Sequence, residues 1–575
     1  MNRSRFLSAL LALLTSLTVG CSRAPSSGPD TTSAQVREEP LPVQGQESDP
    51  DAPSSAAEPV NADAAEPVTE SDTAAFRDSK GFFSLRSGRK KTTAEDLSLT
   101  LYYDGVELPR AGKVWYLPVS EDFPAENLLK LSAVTGAGPA EGGKLYMDLR
   151  LTDIGLEPLL SHNTRPDLFW ADGERYADLE LCFTTLPVLS VDVSPKKLRR
   201  ETVDCAFSLW EAKNGALKRT DSPAEIRIRG ASSSNMPKTG LKISLKDADG
   251  NPNKTSLLGM RKDDDWILYA SYSDNTHVRD AVGWHLWQKM TGSAGFSDTE
   301  AGALEVRWVE VILGESYYGF CLMMEQMDQK TLGLDAEKND SLFKCVSWDV
   351  PDSASLLRLK AKTEAWSSLE RKFPDLEALP AGNESGGWAD MAAFVRLCHE
   401  TSGEEFGAQA EDLLDRDEIL EYWLFLNLTM AADNTWKNTY YAVRDGKISA
   451  YPWDLDITFG LGWNGEIANN YLWEQPGMDT RTYDFQAGRR LIKYVAGCGD
   501  YVRARYETLK DAGIASADAL IADAEAQWDL LHKSGAWQRN LDRWPSVSTT
   551  DSLDYFKETV RTREAWMEEY LETVP

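Results

Sequence analysis

The sequence predicts an α+β protein, strand-rich in its first half and helical in its second. Three observations carry this. Short runs of β-branched and aromatic residues, broken by turn signals, recur from about residue 80 to 325. Beyond about 350, apolar residues recur at helical spacing, most clearly at Ile419, Leu420, Trp423, Leu424, Leu426 and Leu428 between Asp417 and Thr429. A hairpin pattern then interrupts the helical half, with Thr439 to Val443 and Lys447 to Tyr451 flanking the turn Asp445-Gly446.

The chain has 575 residues, enough for two or three domains and a large core. Arg3 and Arg5 precede an apolar run, Phe6 to Val19, that is too short to span a bilayer comfortably. The run ends at Val19-Gly20-Cys21-Ser22, which resembles a bacterial lipoprotein processing site, with Thr18 where that motif prefers Leu. Residues 1–21 are therefore expected to be a signal peptide and Cys21 a lipidated membrane anchor; an ordinary secretory signal is the alternative. Residues 22–78, rich in Pro, Ser, Ala and acidic groups, have too few large apolar residues to form a core and read as a disordered acidic linker. The expected location is outside the cytoplasm, at a cell surface or facing a periplasm.

Residues 80–185 read as a small β-rich domain, with strands over Leu97 to Tyr103, Val106 to Leu108, Val114 to Val119 and Lys144 to Leu151. A second unit, 186–570, opens with strands at Leu186 to Val193, Ala224 to Arg229, Gly240 to Leu245 and Ala303 to Leu313. A helix is predicted over Val278 to Met290, and amphipathic helices over 515–534 and 551–573.

Acidic residues outnumber basic ones, 91 to 61, which argues against a nucleic-acid partner because phosphate neutralisation needs a basic surface. Beyond Cys21, the six cysteines Cys182, Cys205, Cys321, Cys345, Cys398 and Cys498 lack metal-finger spacing, so structural zinc is not expected. Export permits disulfides, but the apolar surroundings equally suit buried thiols. The five histidines lie far in sequence from the carboxylates singled out below, and no Gly-x-Ser-x-Gly elbow supports a hydrolase.

The chemistry concentrates in Asp433-Asn434-Thr435-Trp436-Lys437-Asn438, followed after the hairpin by Pro452-Trp453-Asp454-Leu455-Asp456. A carboxylate, an amide five residues on, a strand pair and a second carboxylate is the order used for phosphoryl transfer: a base for the attacking hydroxyl, then oxygen ligands for magnesium on a triphosphate. The hairpin returns Asp454 towards Asp433 and Asn438. Upstream, Arg229 to Lys238 forms a small-residue loop between strands, in which Ser232 and Ser233 let backbone amides approach an anion. Lys238 and Lys242 compete for a phosphate-binding role, and Glu325, ending the strand from Tyr318, is placed to brace one of them. Arg279, at a helix start, suits either a phosphate clamp or a pairing with a carboxylate.

Taken together these pieces resemble the CotH kinase family over roughly residues 186 to 565. Its Arg-Gly-Asn-Ser-Ser loop is matched by Arg229-Gly230-Ala231-Ser232-Ser233, with Ala for Asn, and its Pro-Lys by Pro237-Lys238. Its Arg-Asn pair is Arg279-Asp280 here, and its Tyr-x-Gly-x-Tyr-x-x-x-Glu strand is Tyr317 to Glu325, with Cys321 for the second Tyr. Its Asp-x-x-x-x-Asn and Pro-Trp-Asp-x-Asp-x-x-x-Gly segments are intact, the latter ending at Gly460. The resemblance implies a reduced protein-kinase-like fold and γ-phosphoryl transfer from ATP, with Mg2+, to protein Ser or Thr. It implies Asp433 as catalytic base, Asn438 and Asp454 as metal ligands and Asp456 as a further candidate. A non-catalytic surface module that binds a glycan, a polymer or a protein is the alternative, suggested by the β-rich N-terminal region and the tryptophans.

Overall fold

The computed structural model describes residues 73–76, 79–136, 143–148, 157–161, 165–293, 302–462 and 485–575. The expected signal peptide, Cys21 and nearly all of the expected acidic linker lie outside these residues, as do His162, Trp463 and Trp473. The architecture is α+β, with strands dominating the first half and helices the second.

The first region holds a seven-stranded sheet that includes Val114–Pro118, Lys144–Asp148, Leu168–Ala171 and Arg175–Thr184, and a three-stranded sheet that includes Thr100–Tyr103 and Val106–Glu107. Together they enclose an apolar core built on Leu101, Trp115, Leu117, Met147, Trp170, Leu181 and Phe183. The expected strand at Leu97 to Tyr103 begins only at Thr100, because Ser98 has φ 46° and breaks the extended run.

Seven strands then close a barrel. They are β1 (Val188–Val191), β2 (Val203–Lys213), β3 (Ala216–Ile228), β4 (Leu241–Leu245), β5 (Asp265–Tyr269), β6 (Val306–Leu313) and β7 (Ser316–Met324), in the order β1-β2-β3-β4-β5-β7-β6. β2 and β3 are joined at Asn214-Gly215, both with positive φ, as a two-residue hairpin turn demands. Alternation sets the faces: Leu241, Ile243 and Leu245 of β4 fill the barrel with Ile226, Trp266, Leu268, Val309 and Val311, while Lys242 and Ser244 point outward. Closure leaves no open edge among these strands.

A second sheet lies in the later half: β8 (Ser341–Cys345), β9 (Ala365–Trp366), β10 (Leu369–Phe373), β11 (Thr439–Arg444) and β12 (Lys447–Pro452), in the order β9-β10-β8-β11-β12. The hairpin anticipated across Asp445-Gly446 is β11-β12. Sequence reading saw only this hairpin in the helical half; β8 and β10 are short, and β8 meets β11 across almost 100 residues of intervening chain.

Helices α1 (Arg279–Thr291), α2 (Arg416–Thr429), α3 (Ala517–Lys533) and α4 (Asp554–Thr573) fall within a residue or two of expectation at most ends. Asp415 caps α2 by accepting from the Glu418 N–H. α2 is buried along its whole length from Glu418, and packs in the main apolar core with Trp284, Trp287, Met567 and Leu571. All six cysteines from Cys182 onward are free thiols, five of them buried. Among the described residues no helix is long and apolar enough to cross a membrane.

Candidate functional site

The hairpin register builds the site. Thr439 pairs with Pro452, so the residues just outside the hairpin, Asn438 and Trp453, end side by side. α2 stops at Met430, which takes the left-handed conformation (φ 54°), and the chain turns through the short helical turn Ala432–Asn434 that carries Asp433. Asn438 (φ 56°) and Asp454 (φ 62°) are also left-handed, a conformation that Asn and Asp tolerate better than most residues and one that clusters at functional positions.

Asn434, which no sequence motif singles out, ties these pieces together. Its buried Nδ2 donates to the Asn438 carbonyl at 3.1 Å and the Trp453 carbonyl at 2.6 Å. Its own carbonyl accepts from Tyr422 and Thr439. Asn434→Ala leaves two buried carbonyls without this donor. It is expected to lower stability by about 2 kcal/mol, read from denaturant unfolding.

Asp433 Oδ2 accepts from Lys437 Nζ at 2.6 Å and from Asn438 Nδ2 at 2.9 Å. Burial pushes the Asp433 carboxyl up, and Lys437 partly offsets this. Lys437 is a second residue missed in the sequence: four positions from Asp433, it looks like an ordinary surface pair until the turn is known. Both donors engage the same oxygen, Oδ2.

Four more acidic groups gather behind Asp433. Asp454, Asp456, Asp280 at the start of α1 and Asp274 just before it are close enough to act on one another electrostatically, and the Tyr269 hydroxyl lies within hydrogen-bonding reach of Asp454 and Asp456. Asp280 accepts from the Leu455 N–H at 2.9 Å through Oδ1, while its buried Oδ2 has no partner among the described residues. Burial, then repulsion from Asp456 and Asp454, pushes the Asp280 carboxyl far above its usual range; Asp456 is raised by burial and by Asp454. The substitution of Asp for the expected Asn at 280 thus adds a carboxyl to an already acidic pocket.

This donor set suits a hard cation. Carboxylate oxygens from Asp454 and Asp456 and the amide oxygen of Asn438 are the right chemistry, and the mutual repulsion and unpartnered Asp280 Oδ2 are what a bound positive charge would relieve. Among the described residues no three His, Cys, Asp or Glu side chains form a ready-made metal cage. Magnesium does not require one, since it is held by one or two carboxylates together with substrate phosphates.

The basic candidates divide. Arg229, just past β3, places its Cζ 5.2 Å from the Trp453 ring centre and so reaches the site. Ser232 and Ser233 lie in the turn Ser232–Asn235 beyond it, and the Ser232 side chain falls outside what the structure describes. Lys238 is buried, donates to the Phe320 carbonyl at 2.5 Å and to Asn540 Oδ1 at 3.0 Å, and is pushed down to about 8 by burial. Lys242 pairs with Asp265 at 2.9 Å. Glu325 meets neither lysine; it accepts from the N–H groups of Arg261 and Glu305 and lies 4.0 Å from the Arg261 guanidinium. A strand-end carboxylate reaches only what its own sheet edge presents, and here that is backbone. Of the two roles open to Arg279, the buried side chain takes the pairing: it binds Asp274 at 2.5 Å and the Thr458 carbonyl at 3.1 Å.

A carboxylate on a turn, an amide five residues on and a second carboxylate returned by a hairpin make one constellation. The family model described as CotH kinase protein matches residues 226–567. The chain belongs to the CotH kinase family. The match starts within β3 and takes in every candidate site residue from Arg229 to Asp456. Membership makes this an atypical kinase-like protein and implies ATP use. A comparison with curated proteins returned no match.

Proposed function

We propose that this CotH protein transfers the γ-phosphoryl group of ATP to Ser or Thr hydroxyls of surface proteins, and that it has a reduced protein-kinase-like fold with its cleft between the barrel and the second sheet. The observation that carries the reading is the convergence of Asp433, Asn438 and Asp454 at the open end of one hairpin.

Asp433 accepts the hydroxyl proton through Oδ1 as the oxygen attacks, held in orientation by Lys437 and Asn438 on Oδ2. Its raised proton affinity favours that acceptance, and the Lys437 ammonium steadies the carboxylate before it. Asp454, Asn438 and Asp456 would hold Mg2+, which supplies neutralisation of charge on the phosphates. Asp280 fixes the Asp454-Asp456 segment through the Leu455 N–H. Export and tethering through a lipidated Cys21 belong to the same proposal, supported by the Arg3–Ser22 sequence and by an acidic segment long enough to hold the folded part away from a bilayer.

The test is incubation with γ-labelled ATP and magnesium. Wild type is expected to label protein, and Asp454→Ala to lose label by at least a hundredfold while its melting temperature without nucleotide is retained. Labelling that persists in Asp454→Ala would sink the metal assignment. No labelling and no nucleotide binding by wild type would favour the binding-module alternative.

A further inference from the structure

Two cations meet at the site without an ion-pair partner among the described residues. Lys344 lies in β8, where the register sets it opposite Tyr440 of β11, itself opposite Tyr451 of β12. Its Nζ stands 5.0 Å from the Trp453 ring centre and 5.4 Å from that of Tyr440. Arg229 approaches the same indole from the barrel side, its Cζ 5.2 Å away. Trp453 is almost fully buried and immediately precedes Asp454. One ring therefore carries two positive groups from two different sheets, beside the carboxylate assigned to the metal.

Among the described residues, neither side chain has a hydrogen bond or an ion pair. Three other half-buried cations have carboxylate partners: Lys242 pairs with Asp265, Lys330 with Asp263, Asp264 and Asp328, and Arg261 with Asp263, Glu325 and Asp328. Burial and then the charge of Arg229 push the Lys344 ammonium down to about 7, with Asp454 pulling it back only in part. Two close cations held on an aromatic platform, short of counter-charge, are placed for an anion that carries several charges.

We propose that Lys344, together with Arg229, binds the polyphosphate chain of the nucleotide, the task the sequence had offered to Lys238 or Lys242. This rests on the reading of the site as a nucleotide site. Lys238 is locked into the Phe320 carbonyl and Asn540, and Lys242 into Asp265, so neither has a charge to spare. Lys344 is invisible to motif reading because its strand, Ser341 to Cys345, has no distinctive spacing; only the β8–β11 pairing brings it to the site.

The test is calorimetric titration of the full chain with Mg-ATP and, separately, with inorganic tripolyphosphate, for wild type, Lys344→Met, Lys344→Arg and Arg229→Met. Both methionine variants are expected to weaken both ligands at least tenfold, and Lys344→Arg to restore most of the affinity. A purely structural lysine would instead lower the melting temperature and leave the affinities of the folded fraction alone, which overturns the proposal. Wild type that transfers phosphate while Lys344→Met binds ATP unchanged overturns the proposal and spares the kinase reading. Lys344-dependent tripolyphosphate binding without any transfer supports the proposal and removes the kinase reading. Wild type that binds neither ligand overturns both.

Discussion

Asp433→Asn should reduce phosphoryl transfer by about 10²–10⁴-fold, the range that removal of a positioned general base costs. The substitution keeps the side chain's size and one oxygen to accept from Lys437 or Asn438, so the turn Ala432–Asn434 should persist. What disappears is the second carboxylate oxygen and its ability to take a proton. Nucleotide affinity should change little, because the phosphate contacts are proposed to lie at Lys344 and Arg229. Steady-state labelling gives kcat, and titration with Mg-ATP gives affinity. A fall in kcat with affinity kept is the signature of a group that acts on the attacking hydroxyl. An equal fall in both would move Asp433 from the chemistry to nucleotide binding.

Lys437 complicates the ground state in a useful way. In wild type its ammonium pairs with the Asp433 carboxylate, and loss of the negative charge leaves that ammonium with a neutral amide. The pair is partly exposed, so this costs little stability. The Asp433→Asn variant should therefore melt close to wild type, which separates its kinetic defect from unfolding.

Local geometry made part of the site legible and global pairing hid the rest. The Asp433–Asn438 spacing, the Asp445-Gly446 turn and the return to Asp454 lie within 22 residues, and turn chemistry alone brings them together. Five of the seven barrel strands and the four helices were legible for the same reason, since alternation and helical spacing are local signals; β2 and β5 were not. Lys344 and Asp280 come to the site from two other elements, and no local pattern specifies which elements lie side by side. Glu325 shows the opposite case: a motif was read correctly as a strand end, but its partners are backbone amides of Arg261 and Glu305 rather than a lysine. Asn434 was hidden because a buried amide that bridges two carbonyls has no sequence signature apart from the loop it organises.

Arg279→Met is expected to destabilise the protein by about 3–5 kcal/mol, the cost of leaving one half of a buried ion pair alone. Arg279 is wholly buried. Its guanidinium meets Asp274, Asn275 and Thr276 on its own chain segment and the Thr458 carbonyl across the site. Asp274 in turn accepts from the Thr276 and Arg279 N–H groups and so begins α1, the helix that carries Asp280. Burial alone would push the Asp274 carboxyl up; Arg279 and the two N–H groups overcome this and hold it below its ordinary value. Removal of Arg279 strands that negative charge next to Asp280 and Asp456, which are already repelled by it. The Asp274→Asn substitution in the Arg279→Met background removes the stranded charge, so the double variant should be more stable than the sum of the two single changes by about 1–3 kcal/mol. Denaturant unfolding of the four proteins closes the cycle. Coupling near zero, or an Arg279→Met variant that melts normally and loses only nucleotide affinity, would restore Arg279 to the phosphate-clamping role that its position at a helix start first suggested. The predicted result instead makes the helix-start arginine the support that lets five carboxyl groups share one pocket, with Asp433 at its mouth.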